Sequence, residues 1–150
     1  MADIKTPEER SRNMRAIRSK DTKPELYLRK LLFAQGYRYR KNVLALPGRP
    51  DIYLAKYKTA IFVHGCYWHR HSNCKYAYTP KTRVVFWQTK FDANTSRDRI
   101  VKADLQSRGI RLLIVWECTI RKMRKTNEEK DRVISEIRAF LEGNTIYQEL

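Results

Sequence analysis

All three histidines of this chain and two of its three cysteines fall within one eleven-residue stretch, His64-Gly65-Cys66-Tyr67-Trp68-His69-Arg70-His71-Ser72-Asn73-Cys74. Imidazole and thiolate are ligands for a borderline-soft metal, and a closed site needs four donors. The third cysteine, Cys118, lies just past Ile110-Arg111-Leu112-Leu113-Ile114-Val115-Trp116, the strongest strand pattern in the chain. A strand there that runs beside Thr59–Val63 brings Cys118 to the local ligands. That pairing is a strong constraint on the fold. Four soft donors from two chain segments make a tetrahedral zinc site of the structural kind, holding an otherwise weakly packed loop. Spacing alone leaves the histidine open, because Cys66-x2-His69 chelates as well as Cys66-x4-His71.

With 150 residues the chain fits one domain with a real core. Lys and Arg number 32 against 16 Asp and Glu, a formal charge of +16 with a pI near 10.0. A charge of that size speaks about partners, and nucleic acid is the polyanion it suits, through phosphate neutralisation and counterion release. A membrane partner is not indicated: there is no basic amphipathic helix with a broad apolar face, no lipidation motif and no apolar run of spanning length. The opening Met1-Ala2-Asp3-Ile4-Lys5-Thr6 lacks a signal peptide's apolar core, so the expected location is cytoplasmic, associated with the nucleoid. Three cysteines cannot all pair, and a reducing compartment disfavours disulfides.

Residues 1–20 carry Arg10, Arg12, Arg15, Arg18 and Lys20 and read as a basic arm that contacts DNA, with a solvated terminal helix as the alternative; residues 21–150 form the main domain. Thr22-Lys23-Pro24-Glu25 is a capping box with Pro in the first turn. The helix it opens runs to Gln35, buries Leu28, Leu31 and Leu32, and ends at Gly36. Tyr37–Val43 alternates as an edge strand, and Leu46–Pro50 is a turn. Strands are predicted at Asp51–Ala55 and Thr59–Val63, the second apolar enough to be central. Thr82–Arg108 has helical spacing and is expected as two helices broken near Asp92–Thr95. Glu128–Leu141 is an amphipathic helix. This order predicts an α/β fold, a central mixed sheet flanked by helices.

Arg49-Pro50-Asp51 opens a strand, and a carboxylate at that place with a polar group on the next strand is how Mg²⁺-dependent nucleases meet a phosphate. The polar group available here is His64, at the end of Ile61-Phe62-Val63-His64. An Asp at a strand start is more often a turn or cap residue. Aromatic rings among cations, as in Tyr67-Trp68-His69-Arg70, suit stacking on bases.

Leu46–Asp51, Phe62–His69, Arg97-Asp98-Arg99, Leu113–Cys118 and Arg12–Ile17 together resemble the very-short-patch mismatch-repair endonucleases, in order and over about residues 10–121. The resemblance implies a fold like that of type II restriction endonucleases. It implies Mg²⁺-dependent nicking of DNA 5′ of the thymine in a T·G mismatch left by deamination of 5-methylcytosine. On this chain it makes Asp51 a Mg²⁺ ligand, with the main-chain carbonyl of Val63, where the family usually has threonine. His69 becomes the general base oriented by Asp98, while His64 and Glu25 hold metal-bound waters; for Glu25 the capping role stands beside this one. Structural Zn²⁺ falls to Cys66, His71, Cys74 and Cys118, with one more residue before Cys74 than the family pattern has. Tyr67, Trp68 and Trp87 resemble the residues that wedge into the stack at the mismatch, Met14 enters from the other groove, and Lys90 and Asn94 match positions that read the mispair. Double-stranded DNA with a T·G mismatch is the implied partner of a monomer, with mismatch-repair and polymerase proteins as further candidates.

Two other readings compete. A zinc-containing DNA-binding module without catalysis explains charge, aromatics and zinc loop but leaves Asp51, His64, His69 and Asp98 without a purpose. A restriction-type nuclease acting on intact duplex keeps the chemistry and changes the substrate.

Overall fold

A computed structural model describes residues 21–150, so the predicted basic arm of residues 1–20, with Met14, lies outside the described residues. The elements are helix α1 (Lys23–Ala34), strands β1 (Arg40–Lys41) and β2 (Ile52–Leu54), a 3₁₀ turn at Ala55–Tyr57, strand β3 (Thr59–His64), helix α2 (Val84–Ser107), strand β4 (Arg111–Trp116), helices α3 (Glu117–Lys125) and α4 (Asn127–Glu142), and strand β5 (Tyr147–Glu149). They build an α/β domain around one mixed sheet of order β1-β2-β3-β4-β5. The first two pairings are antiparallel and the last two parallel. No described helix is long and apolar enough to cross a membrane.

Strand alternation gives the sheet two apolar faces, as burial on both sides of a parallel core requires. Ile61, Leu113 and Val115 face Leu28 and Leu32 of α1, Ile120 and Met123 of α3, and Val133, Ile137 and Phe140 of α4. Ala60, Phe62, Leu112, Ile114 and Trp116 face the other way, against Leu105 of α2 and Cys66. The central strands β3 and β4 lie side by side as expected, parallel, with His64 opposite Trp116. That parallel alignment sends both strand ends, and whatever follows them, to the same end of the sheet.

Three predictions change, and one helix is added. The α2 segment is one uninterrupted helix of 24 residues, not two. Asp, Asn and Thr weaken a helix by bonding its backbone, yet here Asp92 accepts from the Gln88 side chain one turn earlier in the same helix at 2.9 Å and Asn94 donates outside the helix to the Trp68 carbonyl at 3.3 Å. The predicted edge strand 37–43 shrinks to Arg40–Lys41 because Asn42 turns left-handed, with φ of 49°. Asp51 precedes β2 rather than opening it. Cys118 lies in the first turn of α3, a helix the sequence pattern did not reveal; with only Ile120 and Met123 buried, its apolar stripe is too thin to read.

Candidate active site

The turn before β2 owes its shape to Gly48. Its φ is +73°, and a Cβ there would sit 2.7 Å from Val101 and 3.0 Å from Phe62, so only glycine lets the loop close onto α2 and the sheet. The chain then delivers Asp51 beside β3, where the Val63 N–H donates to Asp51 Oδ2 at 2.7 Å. Burial, and then the neighbouring Glu25 carboxylate, raise the Asp51 acid to about 7. Glu25 is itself buried and accepts from the Thr22 N–H at 3.2 Å, the reach-back half of the predicted capping box. Two acids drawn together in a poorly solvated place are relieved by a hard cation. Asp51, the Val63 carbonyl on the adjoining strand and Glu25 are an oxygen donor set of the kind Mg²⁺ takes.

Beside this pair lies an imidazole stack. The rings of His64 and His69 are parallel within 6°, centroids 3.8 Å apart, and His69 Nδ1 meets Asp98 Oδ2 of α2 at 2.7 Å. Glu25, Asp51, Val63, His64, His69 and Asp98 line one cleft. Burial, and then the nearby His69, hold the His64 ring down to about 3, so it is neutral at physiological pH. A His69 ring that donates its Nδ1–H to Asp98 keeps its Nε2 lone pair free to accept a proton.

Cys66, His71, Cys74 and Cys118 converge, one ligand atom of each lying within 4.8 Å of the others. Cys118 Sγ is 3.4 Å from His71 Nδ1, and the Cys118 N–H points at Cys66 Sγ, also 3.4 Å away. Ligand atoms of a tetrahedral zinc site are about 3–4 Å apart. Burial pushes the Cys66 thiol up to about 12, with the Cys118 and Cys74 sulfurs adding to the rise, and burial lowers His71. Three crowded sulfurs and a neutral imidazole are a donor set that a soft divalent ion would stabilise. The donors fit the group. His69 stands apart from this set, so the choice between His69 and His71 that spacing left open falls geometrically to His71.

The family model of the DNA mismatch endonuclease Vsr matches residues 2–76, half of the chain. DNA mismatch endonuclease Vsr of Escherichia coli K12 is 45% identical over 86% of this chain and 82% of its own length. This chain belongs to the Vsr family. Type II nicking enzyme V.NmeAIP of Neisseria meningitidis is 44% identical over 92% of this chain and 98% of its own length. Type II nicking enzyme V.XorIIP of Xanthomonas oryzae is 42% identical over 80% and 88%, respectively.

In this Vsr-family chain Tyr67, Trp68 and Trp87 form one half-buried aromatic cluster. Tyr67 meets Trp68 at 5.1 Å and Trp87 at 5.8 Å between centroids, and Trp68 meets Trp87 at 5.8 Å. Lys90 is exposed on the same helix, over the Phe86 ring, and Asn94 is tied to the Trp68 carbonyl. Sequence reasoning missed the residues that hold these parts. Arg70 lies 3.9 Å over the Phe91 ring while its guanidinium donates to the carbonyls of Tyr67, Ala77 and Tyr78. Buried Arg29 donates twice to the Asp51 carbonyl, at 3.2 and 3.1 Å, and also bonds Asp21 and Asn42. Neither leaves a sequence signal, because one Arg among thirty-two basic residues is indistinguishable until its partners are known.

Proposed function

We propose that this chain is a Mg²⁺-dependent DNA endonuclease that nicks the strand 5′ of the thymine in a T·G mismatch, on a restriction-endonuclease-like core. Family membership supports mismatch-directed cleavage. The observation that carries the chemistry is the shared cleft of Asp51 and the Asp98–His69–His64 group. Asp51 and the Val63 carbonyl would hold Mg²⁺, with Glu25 and His64 placed for its waters. Bound there, Mg²⁺ would polarise the phosphate and stabilise charge on the leaving oxygen. His69 accepts the proton of the attacking water at Nε2, and Asp98 fixes that tautomer and balances the imidazolium. His64, neutral and stacked, leaves the charge on His69 unopposed by a second cation.

Cys66, His71, Cys74 and Cys118 would hold structural Zn²⁺ and so fix the loop that carries His69, Tyr67 and Trp68. Tyr67, Trp68 and Trp87 enter the base stack, where a mispair is cheaper to open than a paired step. Lys90 and Asn94 read the mispair, with Met14 of the N-terminal arm approaching from the opposite groove. A monomer suits the asymmetry of one mispair and one nick, and a +16 charge suits a DNA partner.

The test is a nicking assay with a T·G duplex, its T·A counterpart and a T·G duplex with randomised flanks. Nicking of T·G with Mg²⁺, lost with EDTA or in Asp51→Ala, is the expected result. Mismatch binding without cleavage in Mg²⁺ would leave a DNA-binding module, and equal cutting of T·A would leave a nuclease of intact duplex.

A further inference from the structure

Four rings form a continuous column through the site. The His71 ring lies flat on the Trp116 indole, 4.1 Å between centroids and 8° between planes. The indole meets His64 edge-on at 5.4 Å, and His64 lies flat on His69. Among the described residues, Trp116 is thus the ring that touches both the thiolate site and the imidazole pair. It stands opposite His64 in the β3–β4 register, and it is 7% exposed.

The indole is pinned from the far end of the chain. Trp116 Nε1–H donates to Glu149 Oε1 at 2.8 Å, and the Tyr147 hydroxyl donates to Glu149 Oε2, also at 2.8 Å. Lys102 of α2 sits over the Tyr147 ring at 3.6 Å, and β5 is locked to β4 by the Trp116 N–H to Leu150 and the Leu150 N–H to Ile114. A buried indole N–H without an acceptor is costly, so loss of Glu149 favours a turned indole. A turned indole cannot keep its parallel stack on His71 and its T-shaped contact with His64 together.

We propose that Trp116, held by Glu149, is a positioning residue that couples the metal of the Cys66–His71–Cys74–Cys118 site to the orientation of His64 and His69. The coupling rests on the functional reading above for its importance, but not for its geometry. A metal held by His71 would fix the His71 plane, that plane the indole stacked on it, and the indole in its T-shaped contact the tilt of His64 and, through the stack, of His69. Partners that orient a ligating imidazole ordinarily touch its second nitrogen; here the same task falls to a ring face.

The experiment compares the full-length chain with Glu149→Ala and with Glu149→Gln, whose amide oxygen still accepts the indole N–H. Co²⁺ affinity is read from its thiolate absorption in competition with a chelator, and the His64 and His69 ring signals are read by ¹H–¹⁵N NMR on the Zn²⁺-loaded protein. Glu149→Ala is expected to weaken Co²⁺ about tenfold and to move the His64 and His69 signals, with Glu149→Gln within about twofold of the native chain. If Glu149→Ala lowers thermal stability but leaves the Co²⁺ affinity and both ring signals native, Glu149 is a structural tie only and the proposal is overturned. Should Glu149→Ala fail to fold, Tyr147→Phe loosens the same carboxylate, and unchanged signals there overturn it equally. A native chain that loads Co²⁺ but does not nick T·G refutes the endonuclease reading, while the ring signals still decide the coupling.

Discussion

Arg29 and Asp51 are joined through the backbone: Nε and Nη2 of the guanidinium donate to the Asp51 carbonyl at 3.2 and 3.1 Å. The same guanidinium reaches Asp21 at 2.7 Å and Glu25 at 3.6 Å, so one cation 3% exposed serves two carboxylates and one backbone carbonyl. It sets where the Asp51 backbone lies and offsets the charge that gathers there. Arg29→Met leaves a buried acidic cluster unpaired and is expected to cost about 3–5 kcal/mol in urea unfolding. Arg29→Lys keeps the charge but not the fork, and should recover only part of that loss. Unfolding free energies of Met and native chains within 1 kcal/mol of each other, about the worth of one ordinary hydrogen bond, would refute the clamp.

Asp51 gives a pH dependence with a definite sign. Its acid is raised from 3.8 to about 7 in the fold, so the metal-free folded chain holds a proton that the unfolded chain releases. Stability from this group is present below pH about 4 and lost as pH rises through about 7. Added Mg²⁺ should therefore raise Tm more at pH 8 than at pH 6. In Asp51→Asn the metal-free Tm at pH 8 rises and the Mg²⁺ response disappears, both read by a thermal melt. A Mg²⁺ response that persists in Asp51→Asn would remove Asp51 from the ion's ligands.

His64 gives the opposite sign. Its folded value of about 3 lies below the 6.5 of an ordinary imidazole, so its contribution is present above pH about 6.5 and is lost progressively as pH falls toward 3. His64→Gln removes the titration. Below pH 6 its urea midpoint should fall less steeply with acid than that of the native chain.

The Asp98–His69 contact at 2.7 Å predicts the size of a catalytic loss. His69→Ala should lower the single-turnover nicking rate on T·G duplex about 10²–10⁴-fold. Asp98→Asn should fall in the same range without weakening duplex binding, because it changes the tautomer rather than the surface. Unaltered rates in both variants would place the base elsewhere.

Arg70 predicts a split between binding and chemistry. Its guanidinium ties the 77–78 backbone to Tyr67 and packs on Phe91, and so holds the aromatic cluster from behind. Arg70→Ala is expected to weaken T·G duplex binding about tenfold, or ~1.4 kcal/mol. The Mg²⁺ dependence of Tm should stay native. An unchanged dissociation constant in a gel-shift titration would show the cluster stands without it.

Local pattern carried the elements whose burial is simple. Apolar runs at 59–63 and 110–116 are both the centre of the sheet, and Thr22–Glu25 starts α1 as its capping residues require. Pattern failed where a residue's role depends on a distant partner. Asp92–Thr95 reads as a helix break in the sequence, and only the fold brings the Trp68 carbonyl to Asn94. The three residues of β5 had no periodicity to display, and α3 showed only two buried side chains.

The eleven-residue segment 64–74 was chemically legible by itself, because residue type fixes what a donor can bind and that property needs no fold. Which histidine joins which group could not be read from spacing, since His69 and His71 are both within reach of Cys66 along the chain. Tertiary structure decided it: Cys118, 47 residues away from His71, arrives 3.4 Å from its Nδ1, while Asp98, 29 residues from His69, arrives 2.7 Å from the other. Sequence sets the chemistry of each side chain, and parallel pairing of β3 with β4 sets the company it keeps.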